Sequence, residues 1–497
     1  MGVVAGVDSS TQSCTVELRD AQDGTLLGVG RAPHPATTPP VSEQTVDAWW
    51  SAFEHAFAAA LADAGVASED VRAISVAAQC HGLVALDADG RALRPVKLWN
   101  DTTSSPQASR MVAELGTARW ADAVGSVPTA AFTITKLAWV AEHEPELLDR
   151  VATVLLPHDY LTWRLTGRAV TDRSEASGTG YYAAHEGRWL PELLTRFVSD
   201  RVEWQVVLPE VLGPDEPAGR AVTADARRLG LREDVVVGPG AGDQHAGALG
   251  IGLRPHQVLY SLGTSGVVMT TSPGSVHDHS GWVNGVADAA GGYLPLVCTL
   301  NCTKVTDFAA RLLGVDLAEL SRLALAAPSR DDRPVLVAFL DGERSPALPD
   351  ARGLLGGLRS DTTREEVARA AFEGVLLGLV RGQRAIEAAG PDVSGDVLVV
   401  GGGSRSPAYR QLLADLLGRP VHQRDVPEAT ARGACVQAAA VLHEASVVGV
   451  RDEWQPPDVG VTEPREPVSD AIRERYLDLA RCAGDDWRPD AAVPRQR

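Results

Sequence analysis

The chain has 497 residues, a length that favours two or three domains, each able to bury its own core. A formal net charge of −19 and the lack of a basic cluster argue against nucleic acid or an anionic membrane as a partner. The six cysteines show no disulfide framework and no C-x-x-C pair, which predicts a reducing cytoplasm and no structural zinc site.

The N-terminal apolar run is too short for a signal peptide, and no stretch reaches eighteen apolar residues. We therefore expect a soluble, cytoplasmic protein.

The first half is predicted to begin with three short strands, at 3–8, 14–19 and 25–30, separated by turns. A helix is predicted at 47–64 and a strand at 71–78. In the second half, a strand at 257–262, a turn at 263–266 and a strand at 267–270 repeat the opening pattern. Both halves therefore begin with strand, small-residue turn and strand.

Each half also ends with a strand, a glycine turn and a helix. In the first half the turn spans 238–243, and in the second half it spans 401–406. This repetition predicts an α/β fold of two related domains, at 1–245 and 246–452, with a nucleotide between them. A tail at 453–497, rich in proline and charge, is predicted to carry a surface helix at 470–482.

Two turns of small and hydroxylated residues could bind phosphate groups. The chain contains neither the P-loop motif G-x-x-x-x-G-K-[ST] nor a complete dinucleotide-binding motif G-x-G-x-x-G, so phosphate groups would have to be bound by other segments. The turns at 9–13 and 263–266 could offer backbone amides and hydroxyls to a triphosphate from opposite sides. Either turn alone reads as an ordinary hairpin turn, and their pairing favours the binding role.

Two aspartates stand at the ends of strands or turns. Asp8 is predicted either to bind Mg²⁺ or to cap an Asx-turn, with equal weight. Asp243 could be a helix N-cap or a general base. Glycines at 238, 240 and 242 favour the base, because they would make room for a substrate hydroxyl.

Polar and aromatic residues after two strands suit a sugar. His81 could hydrogen-bond a polyol, although a lone histidine is more often a core residue. Trp99, Asn100 and Asp101 combine an apolar face with polar groups.

The order and spacing of these motifs resemble the FGGY carbohydrate kinases, and among them the xylulokinase group. The resemblance covers nearly the whole chain, with motifs at 6–11, 78–82, 98–101, 133–139, 156–160, 240–243, 261–266, 341–346, 353–373 and 401–403. It implies two actin-like (ribonuclease H-like) domains of the hexokinase type around a cleft. It also implies phosphoryl transfer from MgATP to a sugar hydroxyl, with D-xylulose to D-xylulose 5-phosphate as the expected reaction.

The resemblance also implies residue roles. Asp243 would be the catalytic base and would contact the substrate, and Asp8 would bind the metal. The nucleotide would be bound by Thr11, Gln12, Ser13, Gly263, Thr264, Gly402, Gly403 and Ser406. The sugar would be bound by Cys80, His81, Trp99, Asn100, Asp101 and Gln244.

Several residues depart from the xylulokinase pattern, mainly on the sugar side. Cys80 stands where methionine is common, Thr103 where arginine is common, and Gln244 where asparagine is common, while Ser10 replaces a glycine of the first phosphate turn. A kinase for ribulose, gluconate, glycerol or another polyol, or a non-catalytic sugar sensor, therefore stays open. A chaperone ATPase is less favoured, and a homodimer is one assembly that the sequence allows.

Overall fold

The computed structural model describes residues 2–483 and contains two mixed seven-stranded sheets flanked by helices. The strands are β1 (Val3–Ser9), β2 (Ser13–Asp20), β3 (Leu26–Pro33), β4 (Glu43–Gln44), β5 (Val71–Ala78), β6 (Val84–Leu86), β7 (Val96–Lys97), β8 (Thr153–Leu155), β9 (Val170–Asp172), β10 (Tyr182–Ala183), β11 (Arg188–Trp189), β12 (Glu210–Leu212), β13 (Gly219–Arg220), β14 (Val236–Val237), β15 (Ala241–Gly242), β16 (Val258–Leu262), β17 (Gly266–Thr270), β18 (Asn284–Ala287), β19 (Tyr293–Thr299), β20 (Val335–Val337), β21 (Leu354–Gly356), β22 (Val397–Val400), β23 (Val421–Arg424) and β24 (Asp458–Thr462).

The helices connect and cover these strands, and two short 3₁₀ helices lie at Ser68–Asp70 and Gly402–Arg405. The α-helices are α1 (Val46–Ala64), α2 (Ser105–Leu115), α3 (Thr117–Val124), α4 (Thr133–His143), α5 (Pro145–Leu148), α6 (Pro157–Thr166), α7 (Arg173–Ala176), α8 (Pro191–Phe197), α9 (Trp204–Val207), α10 (Ala224–Arg228), α11 (Asp243–Ile251), α12 (Thr303–Leu313), α13 (Leu317–Ala326), α14 (Arg364–Ala388), α15 (Pro407–Leu417), α16 (Ala429–His443), α17 (Val447–Glu453) and α18 (Asp470–Arg481).

The first sheet has the strand order β13-β14-β5-β1-β2-β3, and β15 also pairs with β5. Strands β1, β2 and β3 are antiparallel neighbours, whereas β5 runs parallel to β1. Val7, Val16, Phe53 and Ile74 belong to the buried core on one face of this sheet. The ends of β1 and β5 therefore lie side by side, which places the segments after Ser9 and Ala78 close together.

The second sheet repeats this arrangement in the order β18-β19-β17-β16-β22-β23-β24. Strands β16, β17 and β19 are antiparallel neighbours, and β22 runs parallel to β16. The long helix α14 begins with a capping box at Thr363 and Glu366 and contributes Phe372 to the second core. The predicted two-domain α/β fold is thus confirmed, and the two halves share one strand topology.

Helices α11 and α16 join the two halves through very close backbone contacts. A Cβ on Gly250 of α11 would overlap the carbonyl oxygen of Ala429, and one on Gly433 of α16 would overlap that of Ala246. A Cβ on Gly6 of β1 would likewise overlap the carbonyl oxygen of Ala431. Because glycine permits this approach, α16 packs against both α11 and the first sheet, and the start of α11 is fixed at the junction.

The segment after residue 452 contributes to the second half. Strand β24 pairs with β23, and α18 buries Ile472, Tyr476 and Ala480 in the second core. The helix predicted at 470–482 is therefore present, with one face packed inward. The predicted domain limits at 245 and 452 stay a prediction, and residues 484–497 of the predicted tail lie outside the described residues.

Within residues 2–483, no single helix has the length and apolar character needed to cross a bilayer. The bent pair α16 and α17 meets the length and composition criteria only when the two helices are taken together. Most of α16 is buried in the protein.

Candidate active site

Asp8 lies at the end of β1, beside Ala77 of β5. The hydroxyl of Ser10 donates a hydrogen bond to Asp8 Oδ1 at 2.5 Å. Within residues 2–483, neither amide of an Asx-turn, from Ser10 or Thr11, donates to this carboxylate. Burial raises the pKa of Asp8 to about 7; the Ser10 hydrogen bond opposes this rise, and the nearby charge of Asp243 adds to it. A cation beside this carboxylate would stabilise its charged form.

Asp243 is the first residue of α11, and the N-cap is Gly242, so the N-cap interpretation of Asp243 is wrong. The amide of Gln244 donates to Asp243 Oδ1 at 2.7 Å, and the thiol of Cys80 donates to the same oxygen at 3.3 Å. Burial raises the pKa of Asp243, and both hydrogen bonds oppose that rise. Among residues 2–483, no hydrogen-bond donor reaches Oδ2. One oxygen is therefore held in place while the other is free to accept.

The three glycines before Asp243 make room for protein side chains. A Cβ on Gly238 would lie 2.8 Å from Ser75 Oγ, and one on Gly240 would lie 2.5 Å from His158 Nδ1. A Cβ on Gly242 would crowd three buried side chains, those of Cys80, Glu175 and His245. The expectation that these glycines clear space for a substrate hydroxyl is thus wrong, because buried side chains take that space.

His81 lies where the chain turns sharply after β5. It has a φ of 66°, its amide donates to Glu175 Oε1, and its carbonyl accepts from Thr133 Oγ1 at 3.1 Å. Its ring stacks on Phe132 with centroids 5.2 Å apart. Burial, with the nearby charges of Lys136 and Arg344, lowers the pKa of His81 well below its usual range. The ring is therefore neutral and can both donate and accept.

Trp99 connects the predicted sugar side with the first phosphate turn. Its indole Nε1 donates to Thr11 Oγ1 at 2.8 Å, and its ring is exposed. Asn100 Oδ1 is buried without a hydrogen-bond partner. An aromatic face with an unsatisfied amide oxygen beside it can bind a polyhydroxylated ligand.

The carboxylate of Asp101 is occupied within its own loop. It is buried and accepts from Ser42 N at 2.9 Å and from both the amide and the hydroxyl of Thr103. Burial opposes ionisation, but these hydrogen bonds and the Lys97 ammonium lower the pKa of Asp101. Asp101 thus shapes the loop that carries Trp99 and Asn100.

The remaining predicted site residues of the first domain differ in their exposure. Gln12 and Gln244 are exposed, Ser13 begins β2, and Cys80 is buried between Asp243 and Glu175. Of these residues, Cys80 and Gln244 contact Asp243, through the thiol and the backbone amide that donate to Oδ1.

The second half contributes two glycine turns. Gly263 and Thr264 follow β16, and their carbonyls accept from the amides of Thr303 and Cys302 at 2.9 and 3.2 Å. Thr264 itself is exposed. These two anchors fix the turn from behind, so that its outer edge stays open.

The second glycine turn follows β22 and begins with Gly401, which has a φ of 85°. A Cβ on Gly402 would meet nothing within 4 Å, whereas one on Gly403 would lie 2.8 Å from Leu262 Cβ. Ser406 is the N-cap of α15, and its hydroxyl donates to Ser321 Oγ at 3.3 Å. Gly402 thus presents bare backbone at an open surface, and Gly403 packs against β16.

Several residues of the site were missed by the sequence analysis. Glu175 is fully buried, and burial raises its pKa to about 8. Lys136 is also buried, donates to the carbonyls of Ala130 and Ala131, and has its pKa lowered by burial to about 7. Lys136 lies in the motif at 133–139, to which no role was assigned, and Glu175 lies in a segment that the sequence analysis did not single out. Only their position in the folded chain reveals them.

Arg344 brings the second domain to the sugar side. Burial raises the pKa of Cys298, and the charge of Arg344 opposes that rise, while the same charge helps to lower the pKa of His81. Arg344 follows Glu343, whose carboxylate is held by Leu300 N at 2.6 Å and by Asn301 Nδ2 at 3.0 Å. The motif at 341–346 was visible in the sequence, but its role was not assigned.

The chain matches a known family over both halves. Residues 3–250 match the N-terminal domain, and residues 258–442 the C-terminal domain, of the FGGY family of carbohydrate kinases. The chain is 42% identical to a xylulose kinase of Streptomyces coelicolor and 40% identical to one of Streptomyces rubiginosus, over 97% of this chain and 95% of each relative.

A solved structure gives the same result. The crystal structure of a xylulose kinase from Bifidobacterium adolescentis is 36% identical to this chain, has a TM-score of 0.86, and matches 96% of this chain and 99% of its own. The chain therefore belongs to the FGGY family of carbohydrate kinases and is a sugar kinase.

Proposed function

We propose that this kinase transfers the γ-phosphoryl group of ATP to a hydroxyl of D-xylulose, giving D-xylulose 5-phosphate. The observation that carries the proposal is the carboxylate of Asp243, with Oδ1 held by Cys80 and Gln244 and Oδ2 open. The names of the relatives from the two Streptomyces species support the choice of sugar.

Asp243 acts as the general base. The hydroxyl oxygen of the sugar attacks the γ-phosphorus, and the bond from this phosphorus to the leaving ADP oxygen breaks. Oδ2 of Asp243 accepts the proton that the sugar hydroxyl loses. Phosphoryl transfer has a loose transition state, so the proton is needed late and positioning matters most. The hydrogen bonds to Oδ1 supply that positioning.

Asp8 is a suitable ligand for Mg²⁺, because its partly exposed carboxylate has Ser10 as its only hydrogen-bond donor among residues 2–483. Bound Mg²⁺ would neutralise charge on the phosphate oxygens. The backbone and hydroxyls of Thr11, Gln12 and Ser13 would contact the phosphates from the first domain, and those of Gly263 and Thr264 from the second. The nucleoside would lie against Gly402, Gly403 and Ser406, where Gly402 offers open backbone.

The sugar would lie between Trp99 and Asp243. The exposed indole supplies an apolar face, and the unpartnered Asn100 Oδ1 accepts from a sugar hydroxyl. The neutral His81 ring, Cys80 and Gln244 complete this side, and Asp101 holds the Trp99 loop in place.

The test is a panel of D-xylulose, ribulose, gluconate and glycerol in a coupled ADP-release assay with purified full-length protein, with and without Mg²⁺. We expect the highest kcat/KM for D-xylulose and no turnover without Mg²⁺. A higher kcat/KM for another compound of the panel would identify that compound, and not D-xylulose, as the substrate. Sugar binding without ADP release across the panel would instead identify a non-catalytic sensor.

The cytoplasm is the compartment we propose, because it supplies ATP and keeps the free cysteines reduced. Cell fractionation tests this location. Light scattering on the purified protein tests whether it forms the homodimer that the sequence allows.

A further inference from the structure

Three side chains of metal-ligating type meet beneath the start of α11. They are Cys80 after β5, Glu175 of α7 and His245 of α11, and one ligand atom from each lies within 4.8 Å of the other two. All three residues are buried. They come from three separate elements, so the fold alone brings them together.

Three polar atoms of this cluster lack hydrogen-bond partners. Glu175 Oε2 and both ring nitrogens of His245 are buried without a hydrogen bond. Glu175 is fully buried and His245 is 3% exposed. Buried polar atoms in native proteins are nearly always satisfied, so an unpartnered carboxylate oxygen and an unpartnered imidazole beside a cysteine thiol point to a ligand.

The ligand atoms also converge on one point. A Cβ on Gly242 would lie 2.7 Å from Cys80 Sγ, 2.7 Å from His245 Nδ1, and closer still to Glu175 Oε2. Zinc binds sulfur at about 2.3 Å and nitrogen or carboxylate oxygen at about 2.0–2.2 Å. Because each of the three ligand atoms lies within 4.8 Å of the other two, a small inward movement of the side chains brings all three to coordination distance from a common centre.

We propose that Cys80, Glu175 and His245 form a binding site for a borderline-soft divalent transition-metal ion such as Zn²⁺. A thiolate and an imidazole select such an ion against Mg²⁺, which prefers oxygen ligands. This site is therefore separate from Asp8, and it depends on the cysteine that stands where the resembling kinases commonly have methionine.

Metal binding at this site inhibits the kinase. The Cys80 thiol loses its proton to solvent when the sulfur binds the ion, and a thiolate cannot donate to Asp243 Oδ1 as the thiol does now. Metal binding also draws the Glu175 carboxylate away from the backbone amide of His81, which donates a hydrogen bond to it in the metal-free protein. This second part of the proposal rests on the proposed function of Asp243, whereas the binding itself does not.

Binding is tested with Co²⁺ as a spectroscopic probe on full-length protein in the absence of ATP. We expect one equivalent to bind with a thiolate-to-cobalt charge-transfer band, and Zn²⁺ to displace it. Cys80→Ser should abolish the band, and His245→Gln should weaken binding at least tenfold. Cys298→Ser is the matched control, because Cys298 is outside the cluster, and it should keep the full band.

A measurement on the wild-type protein guards against variants that fail to fold. X-ray absorption of the zinc-loaded protein should show a single sulfur ligand at about 2.3 Å with nitrogen or oxygen ligands completing the shell. A spectrum without sulfur, or a charge-transfer band that persists in folded Cys80→Ser, would overturn the site.

Inhibition is measured separately, as the Zn²⁺ dependence of ADP release with each protein normalised to its own zinc-free rate. The kcat of the wild-type protein should fall at least tenfold, and that of Cys80→Met should fall less, because Zn²⁺ is bound by cysteine, histidine and carboxylates and not ordinarily by methionine. Equal sensitivity of the two proteins would overturn the inhibitory role. Loss of D-xylulose activity in the sugar panel would leave the Co²⁺ result unaffected, so the two proposals fail independently.

Discussion

The two halves of the site are built from different parts of the chain. The first domain presents the carboxylates of Asp8 and Asp243, which are fixed by hydrogen bonds from Ser10, Cys80 and Gln244. The second domain presents the backbone of two glycine turns, including the open surface at Gly402. The first half should therefore be sensitive to removal of side-chain atoms, and the second half to their addition.

The largest effect is expected from Asp243→Ala, which removes the base from the first half. We expect kcat to fall by roughly 10²–10⁴-fold, the usual worth of a positioned base. ATP affinity, measured by calorimetry, should stay close to that of wild type because the phosphate turns are intact. Near-normal turnover would contradict the base assignment and the contrast between the halves.

A smaller effect is expected from Asp8→Asn, which keeps the size of the side chain but removes its charge. The Mg²⁺ concentration for half-maximal activity should rise by about tenfold or more, since affinity for a hard cation follows the charge of its ligands. An unchanged Mg²⁺ titration would count against Asp8 as a metal ligand.

A matched pair of glycine substitutions tests the second half. In Gly403→Ala the new methyl meets Leu262 Cβ at 2.8 Å and Thr303 Cγ2 at 3.0 Å, and overpacking of this kind costs about 1–3 kcal/mol. Its Tm should fall. Gly402→Ala meets nothing within 4 Å, so its Tm should stay, and any change should appear in the KM for ATP. Equal Tm values would show that Gly403 is not packed.

The smallest effect concerns pH and the buried histidine behind Gly240. His158 Nε2 lies 3.1 Å from Asp159 Oδ1 and 3.3 Å from Asp172 Oδ1. Burial opposes protonation, but these carboxylates raise the pKa of His158 from 6.5 to about 9. The folded protein therefore holds this proton more tightly than the unfolded chain, and the resulting stability is full below pH 6.5 and lost as pH rises through 9.

We expect the Tm of the wild-type protein to fall by roughly 2–4 °C between pH 6.5 and 9.5 from this group. Other groups titrate in the same range, so the difference between wild type and His158→Gln isolates the contribution. If the Tm of the two proteins changes with pH in parallel, His158 is not the source of the pH dependence.

Local patterns were enough to predict the fold, and they offered candidates for the site. Alternating strands and glycine turns predicted the repeated α/β unit. The glycines before Asp243 and the family resemblance favoured this residue as the base, which stays a prediction. The roles of Glu175 and His158 were not predicted, although His158 lies in the motif at 156–160, because their burial depends on contacts with residues far along the chain. The role of the glycines was misread for the same reason: what fills the space beside Gly240 comes from α6, about eighty residues earlier.

The crossing of α11 and α16 has a consequence for the carboxylate at the start of α11. The backbones touch at Gly250 and Gly433. This contact leaves no room for an added methyl group, so a substitution of either glycine would force the two helices apart and would carry Asp243 along with α11.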